Sequence, residues 1–88
     1  MVDIPAFSAS DLGLRLKQER RAQGLSQAQL AERAGIARQT VIDLEKGKNV
    51  SVYVLTGVLA SLGKGLQVTD VRPSLDEARA MFGEPDEL

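Results

Sequence analysis

The sequence predicts a mostly α-helical domain of four to five short helices, with one β-strand near its C-terminal end. Three observations lead there. Apolar residues recur at helical spacing in four short blocks, three of them opened by Asp or Ser and all closed by a glycine, at 24, 35, 47 and 63. Only one stretch, Leu66-Gln-Val-Thr-Asp-Val71, alternates in the manner of a strand. The chain has 88 residues, enough for one small domain that buries roughly 60–65% of its unfolded surface. A core this thin gains from dimerisation.

Residues 1–10 contain Pro5 and read as a flexible N-terminal arm. Asp11 is suited to cap a first helix from about Leu12 to Gln23, ended by Gly24. Leu12 and Leu16 stand four apart with Arg20 next in the row, which is one buried stripe. Ser26 caps a second helix over 27–34, with Gln29 three residues on as its capping-box partner. Gly35 supplies the left-handed turn, and a third helix follows over about 37–46 with Val41 and Leu44 inward. Two short helices around a glycine turn make residues 26–47 a helix-turn-helix.

Ser51 caps a fourth helix over about 52–62, with Val52, Leu55, Leu59 and Leu62 as its inward stripe. Val54 and Val58 are assigned to the opposite face, beside Gly57 and Ser61. An apolar back face on so small a domain calls for a cover, and self-association provides one. The strand over 66–71 points the same way, because a lone strand has unpaired edges. Val54, Val58, Leu66, Val68 and Val71 are therefore the expected dimerisation residues. Ser74 and Glu77 frame a short helix over about 75–82, before an acidic tail. The organisation is thus a 1–10 arm, an 11–63 helix-turn-helix domain, a 64–73 dimerisation strand, and a 74–88 acidic helix and tail.

Several function classes fall away on composition. The chain has no cysteine, no histidine and no tryptophan, so disulfides, thiolate or imidazole metal sites and His-based nucleophilic catalysis are excluded. No loop gathers carboxylates or lysines into an active site, so no enzyme, cofactor or metal is expected. No apolar run approaches the roughly 20 residues that span a bilayer, and residues 1–10 lack a signal-peptide layout. A cytoplasmic protein without a membrane partner is the expectation.

The net charge of −1 divides unevenly. Residues 11–50 carry eight Lys/Arg against five acids, and residues 73–88 carry one Arg against five acids. A basic body with an acidic tail fits phosphate binding by the body, while the tail either solubilises or meets a partner.

On the third helix Gln39, Asp43 and Lys46 turn away from Val41 and Leu44, with Thr40 and Ile42 flanking and Ala37 and Arg38 in the first turn. A recognition helix touches base edges with its N-terminal residues. Arg38 suits guanine O6/N7 and Gln39 adenine N6/N7, each contributing roughly 1–3 kcal/mol of discrimination. Thr40 suits a thymine methyl or a phosphate. Asp43 either accepts from cytosine N4 or keeps phosphates out of the wrong register. Small Ala37 permits close approach. Gln27 at a helix N-terminus is placed for a phosphate, as are Lys46 and Lys48 at the other end of the unit. Arg15, Lys17 and Arg21 read mainly as solvated, and only some of them could face the DNA backbone. Arg20 continues the buried stripe and Glu45 lies beside the inward face of the third helix, so the two are expected to form an internal ion pair.

These residues resemble a known family. Gly24-Leu-Ser-Gln-Ala-Gln-Leu-Ala-Glu-Arg-Ala-Gly35 and Ile36-Ala-Arg-Gln-Thr-Val-Ile-Asp-Leu-Glu-Lys-Gly47 resemble the Cro/cI, or xenobiotic-response-element, helix-turn-helix family, over about residues 11–63. The resemblance implies a lambda-repressor-like fold, a phosphate contact by Gln27, and base-facing roles for Ala37, Arg38, Gln39, Thr40 and Asp43. It also implies the Arg20–Glu45 pair. Two positions depart from the family pattern. Ala37 stands where a serine cap is frequent, at a cost of ~1 kcal/mol of helix stability, and Glu19 stands where a leucine is common.

A fourth helix, a Leu-Gly turn and one strand are similar to HipB-type antitoxins. That likeness implies a homodimer that represses its own operon on a pseudo-palindromic double-stranded operator and binds a HipA-type kinase toxin. An orphan regulator of the same family, and an interaction module that keeps the fold without reading DNA, are the alternatives.

Overall fold

The computed structural model describes residues 5–70. Four helices follow in order: α1 (Ala9–Ala22), α2 (Gln27–Ala34), α3 (Arg38–Glu45) and α4 (Val52–Ser61). Helix α3 packs on α1 and α2, and α4 closes the bundle against α2. Their shared core is Leu16, Leu30, Ala31, Val41, Leu44, Val58, Leu59 and Leu62, with Leu12, Leu25, Ile36, Val54 and Leu55 packed around it.

Helix α1 begins three residues earlier than the sequence suggests, and its cap is Ser8 rather than Asp11. The Asp11 N–H donates to Ser8 Oγ at 3.0 Å, while the Asp11 carboxylate accepts the Phe7 N–H at 3.2 Å. Asp11 is thus the third helical residue, where its carboxylate also faces the positive helix end. The first turn of α1 takes up residues 9 and 10, which the sequence reading assigns to the arm.

Helix α4 carries a second correction. Val58 is fully buried within the protomer, whereas Val52 is 70% exposed. Val58 stands three residues after Leu55 and four before Leu62, so it shares their stripe and cannot belong to a free dimer face. Val54 also leans on the core. Val52, at the first position of the helix, projects past the end of the core. The face left open holds Tyr53, Thr56, Gly57 and Ala60.

No strand is present among the described residues. Leu66 and Val68 are exposed and, with Phe7 and Leu59, line a surface groove between the two ends of the described chain. A single strand has no ladder to form within one protomer. Val71, the short helix over 75–82 and the acidic tail lie outside the described residues.

Helices α1 and α3 meet at Gly13. A Cβ there would strike the backbone carbonyl oxygen of Leu44 and come within 2.7 Å of that of Glu45. Gly13→Ala is therefore expected to lower stability by roughly 1–3 kcal/mol through overpacking. Gly57, by contrast, has open space around it. Gly57→Ala is expected to gain about 0.5–1 kcal/mol from helix propensity. Thermal melting of both variants beside the parent checks the contrast.

The far end of α1 is tied to the turn after α4. Gln23 Nε2 donates to the Leu62 carbonyl at 2.8 Å and to Glu19 Oε1 at 3.3 Å, and Lys64 Nζ lies 3.3 Å from the same Glu19 oxygen. The Gln23 amide first, and then Lys64, hold the Glu19 carboxyl below its ordinary value of 4.5, against an opposing desolvation effect. Because folding lowers this pKa, its stabilisation is complete above pH 4.5 and is lost as pH falls through the lower native value. Melting curves of the parent and Glu19→Gln should differ at neutral pH and converge in acid. A gap that persists or widens in acid contradicts the assignment.

Candidate nucleic-acid interface

The helix-turn-helix is built from two well-set ends. Ser26 Oγ accepts the Gln29 N–H at 3.0 Å and Gln29 Oε1 accepts the Ser26 N–H at 2.8 Å, a complete capping box. Helix α2 ends at Gly35, whose φ of 71° lies in the left-handed region that glycine enters without strain. The Ile36 N–H then returns to the Ala31 carbonyl at 2.9 Å and closes the turn. Helix α3 starts behind Ala37, which makes no side-chain cap bond.

Val41 and Leu44 fix the roll of α3 by burial. Ala37, Arg38, Gln39, Lys46 and Lys48 are consequently exposed, with Thr40 and Asp43 half-buried beside them. A polar face presented by a helix whose other face is locked into a core meets the geometric requirement for groove insertion.

Beneath this face lies a charged pair withdrawn from water. Arg20 Nε meets Glu45 Oε2 at 2.6 Å and Arg20 Nη2 meets Glu45 Oε1 at 3.1 Å, with both side chains at least nine-tenths buried. Arg20 Nη1 donates to the Leu25 carbonyl at 2.8 Å. Gln27 Nε2 adds a bond to Glu45 Oε1 at 3.1 Å, and Gln27 Oε1 accepts from Arg38 Nη2 at 3.4 Å. A continuous chain of contacts therefore runs from α1 through α3 and α2 to the first residue of α3.

A second set of contacts holds the middle of the face. Gln39 Nε2 donates to Asp43 Oδ1 at 3.0 Å, and Lys48 Nζ stands 4.0 Å from the same oxygen.

Two cations that sequence reasoning left as solvated join the site. Lys17 and Arg21 of α1 line one cleft with Ser26, Gln27 and Arg38 at the N-terminus of α2. The signal was their spacing from Arg20: positions 17 and 21 flank the buried stripe and so emerge at its rim. Three cationic side chains beside a helix N-terminus favour an anion, since the free N–H groups and the helix dipole act in the same direction. Of the residues assigned to dimerisation, Leu66 and Val68 do not line this cleft, Val58 is inside the core, and Val71 is outside the described residues.

Comparison with known proteins agrees with this architecture. The helix-turn-helix family profile matches residues 16–68. An uncharacterised HTH-type transcriptional regulator of Methanothermobacter thermautotrophicus is 42% identical over 50 residues, covering 56% of this chain and 72% of that protein. Among solved structures, a chain of a HipA–HipB–O2–O3 complex superposes with a TM-score of 0.70 at 25% identity, over 82% of this chain and all of that one. A complex of a HipB variant with an O2 20mer gives a TM-score of 0.71 at 26% identity, over 82% and 99%.

The buried pair yields a direct test. Arg20→Met leaves the Glu45 carboxylate without its counter-ion, and Glu45→Gln does the same to the guanidinium. Each is expected to cost roughly 3–5 kcal/mol, read as a large fall in melting temperature. Unchanged stability in either variant would refute a structural role.

Proposed function

The chain belongs to the helix-turn-helix family, and from that premise we propose that it is a homodimeric, operator-binding repressor, the autoregulating antitoxin of a HipBA-like module. The observation that carries the DNA-reading part is the face of α3. Arg38 and Gln39 stand exposed on a helix rolled into place by Val41 and Leu44, beside a cationic cleft at the start of α2. In this reading Arg38 and Gln39 meet base edges, with Ala37 and Thr40 close to the groove floor. Gln27, Lys46 and Lys48 bind phosphates, and Lys17 and Arg21 extend that contact along the backbone.

One protomer carries one reading helix, and a pseudo-palindromic operator needs two about one helical turn, roughly 34–36 Å, apart. Exposed Leu66 and Val68, continued by Val71, are the proposed pairing residues, with half-buried Val54 at the margin. The likeness to chains from HipB complexes supports the antitoxin reading and a HipA-type kinase as the second partner. The Methanothermobacter relative is named only as a transcriptional regulator, which favours an orphan regulator as the second reading. Binding of the purified chain to a kinase encoded immediately beside it decides between the two.

Gel-shift titrations test the DNA assignment. Arg38→Ala is expected to weaken binding mainly through one base-pair position, by roughly 1–3 kcal/mol. Lys48→Ala should weaken specific and random duplexes alike and reduce the salt slope by about 1. Identical behaviour of the two variants would overturn the base-versus-phosphate division. Absence of binding to random duplex at low salt would defeat the DNA reading itself.

A further inference from the structure

Asp43 is a carboxylate on a surface proposed to face polyanionic DNA, which requires an account. Its side chain is only 32% exposed, and its Oδ1 oxygen already accepts the Gln39 amide N–H at 3.0 Å. The same oxygen lies 4.0 Å from Lys48 Nζ. Lys48 is itself fixed to this residue through its backbone, since its N–H donates to the Asp43 carbonyl at 2.9 Å. One oxygen thus holds a glutamine amide and faces the ammonium group of a lysine whose backbone is tied to the same residue.

The consequence lies in how Gln39 is presented. An amide side chain has a donor end and an acceptor end of nearly the same shape, and free rotation lets either meet a base. With Nε2 anchored on Asp43, the carbonyl Oε1 is left as the outward acceptor, and the second N–H remains free to donate. That is the polarity needed for adenine, whose N6 amino group donates and whose N7 accepts. An ionised carboxylate is acceptor-only, so the anchoring cannot invert.

Resting on the DNA-reading proposal above, we infer that Asp43 contacts no base and is instead a positioning residue. It sets the amide polarity of Gln39, and Lys48 offsets its charge against the nearby phosphates. The specificity of one base pair is then shared between a residue that touches it and one that does not.

The test is selection of binding sites from randomised duplexes with the full-length parent, Gln39→Ala, Asp43→Ala, Asp43→Asn and the Gln39→Ala/Asp43→Ala double variant. Alanine at this helical position preserves helix propensity, and melting curves verify folding. Gln39→Ala and Asp43→Ala are expected to relax the same base-pair position, by roughly tenfold to a hundredfold. The double variant should be no worse than Gln39→Ala alone, the non-additivity of two residues serving one contact. Asp43→Asn keeps an acceptor oxygen but adds a donor, so either end of the Gln39 amide can be anchored and a loss at the same base pair smaller than that of Asp43→Ala is expected. Binding to random duplex should be unchanged or tighter in both Asp43 variants, because a negative charge is removed.

Relaxation at a different base pair from Gln39→Ala, with additive losses in the double variant, would show that Asp43 reads a base itself and would overturn the inference. An Asp43→Ala variant with the parent's full preferences would do so as well. Failure of the underlying reading looks different: the parent itself would enrich no sequence.

Discussion

Taking an arginine and a glutamate out of water costs several kcal/mol for each ion, and the Arg20–Glu45 pair persists because little of that cost is left uncompensated. Both carboxylate oxygens meet the guanidinium, whose third nitrogen reaches the Leu25 carbonyl, and Gln27 adds a donor to Glu45. Among the described residues no buried side-chain nitrogen or oxygen lacks a partner. The pair fastens the last turn of α1 to the last residue of α3 and, through Leu25, to the turn that launches α2. Three elements are aligned by one contact. The carbonyl groups that end α3 then lie directly over Gly13, so a two-point ion pair and a missing side chain set the same interhelical distance.

The proposed reading surface inherits its order from that contact. Gln27 bonds to the buried carboxylate with its nitrogen and to Arg38 with its oxygen, so it connects the core to the surface. Asp43 does the equivalent for Gln39. Side chains that are long and free in solution lose about 0.5–1.5 kcal/mol each on immobilisation at an interface. Where their neighbours already hold them, part of that cost has been met on folding. The same hydrogen bonds therefore connect the packing of the domain with the order of the proposed reading surface.

Much of this was legible in the sequence because the relevant signals are local. Ser26, Gln29 and Gly35 mark the bounds of α2, and the roll of α3 follows from Val41 and Leu44 alone. Arg20 betrays its burial by falling in register with Leu12 and Leu16. What escaped depends on competition or on distance. Ser8 and Asp11 are both good caps, and only the three-dimensional reach of the Asp11 carboxylate to Phe7 shows which one acts. Val58 stands three and four residues from leucines that line the core, a relation that outweighs its separation from Val52. Gly13 carries no hydrophobic signal at all, since its role is to let two backbones approach. The proposed pairing of residues 66–71 would be a property of two chains, and one protomer does not display it.

The distribution of charge makes the orientation of polar groups matter more than their number. Residues 11–50 hold eight cations, but Arg20 is neutralised inside the protomer and Lys48 faces Asp43. What the proposed reading leaves for phosphates near α3 is Lys17, Arg21, Lys46 and Lys48, the last partly offset by Asp43. Each phosphate neutralised contributes about 0.9 to the salt slope, so one protomer with so few contacts binds weakly once salt is physiological. The proposed pairing would double the number of phosphate contacts at an unchanged charge per protomer, and it would make the spacing of the two α3 helices part of the recognition. A chain of net charge −1 cannot rely on a broad positive field to hold DNA in any register. In the proposed reading its discrimination comes from a few polar groups held at fixed angles, as Gln27 holds Arg38 and Asp43 holds Gln39.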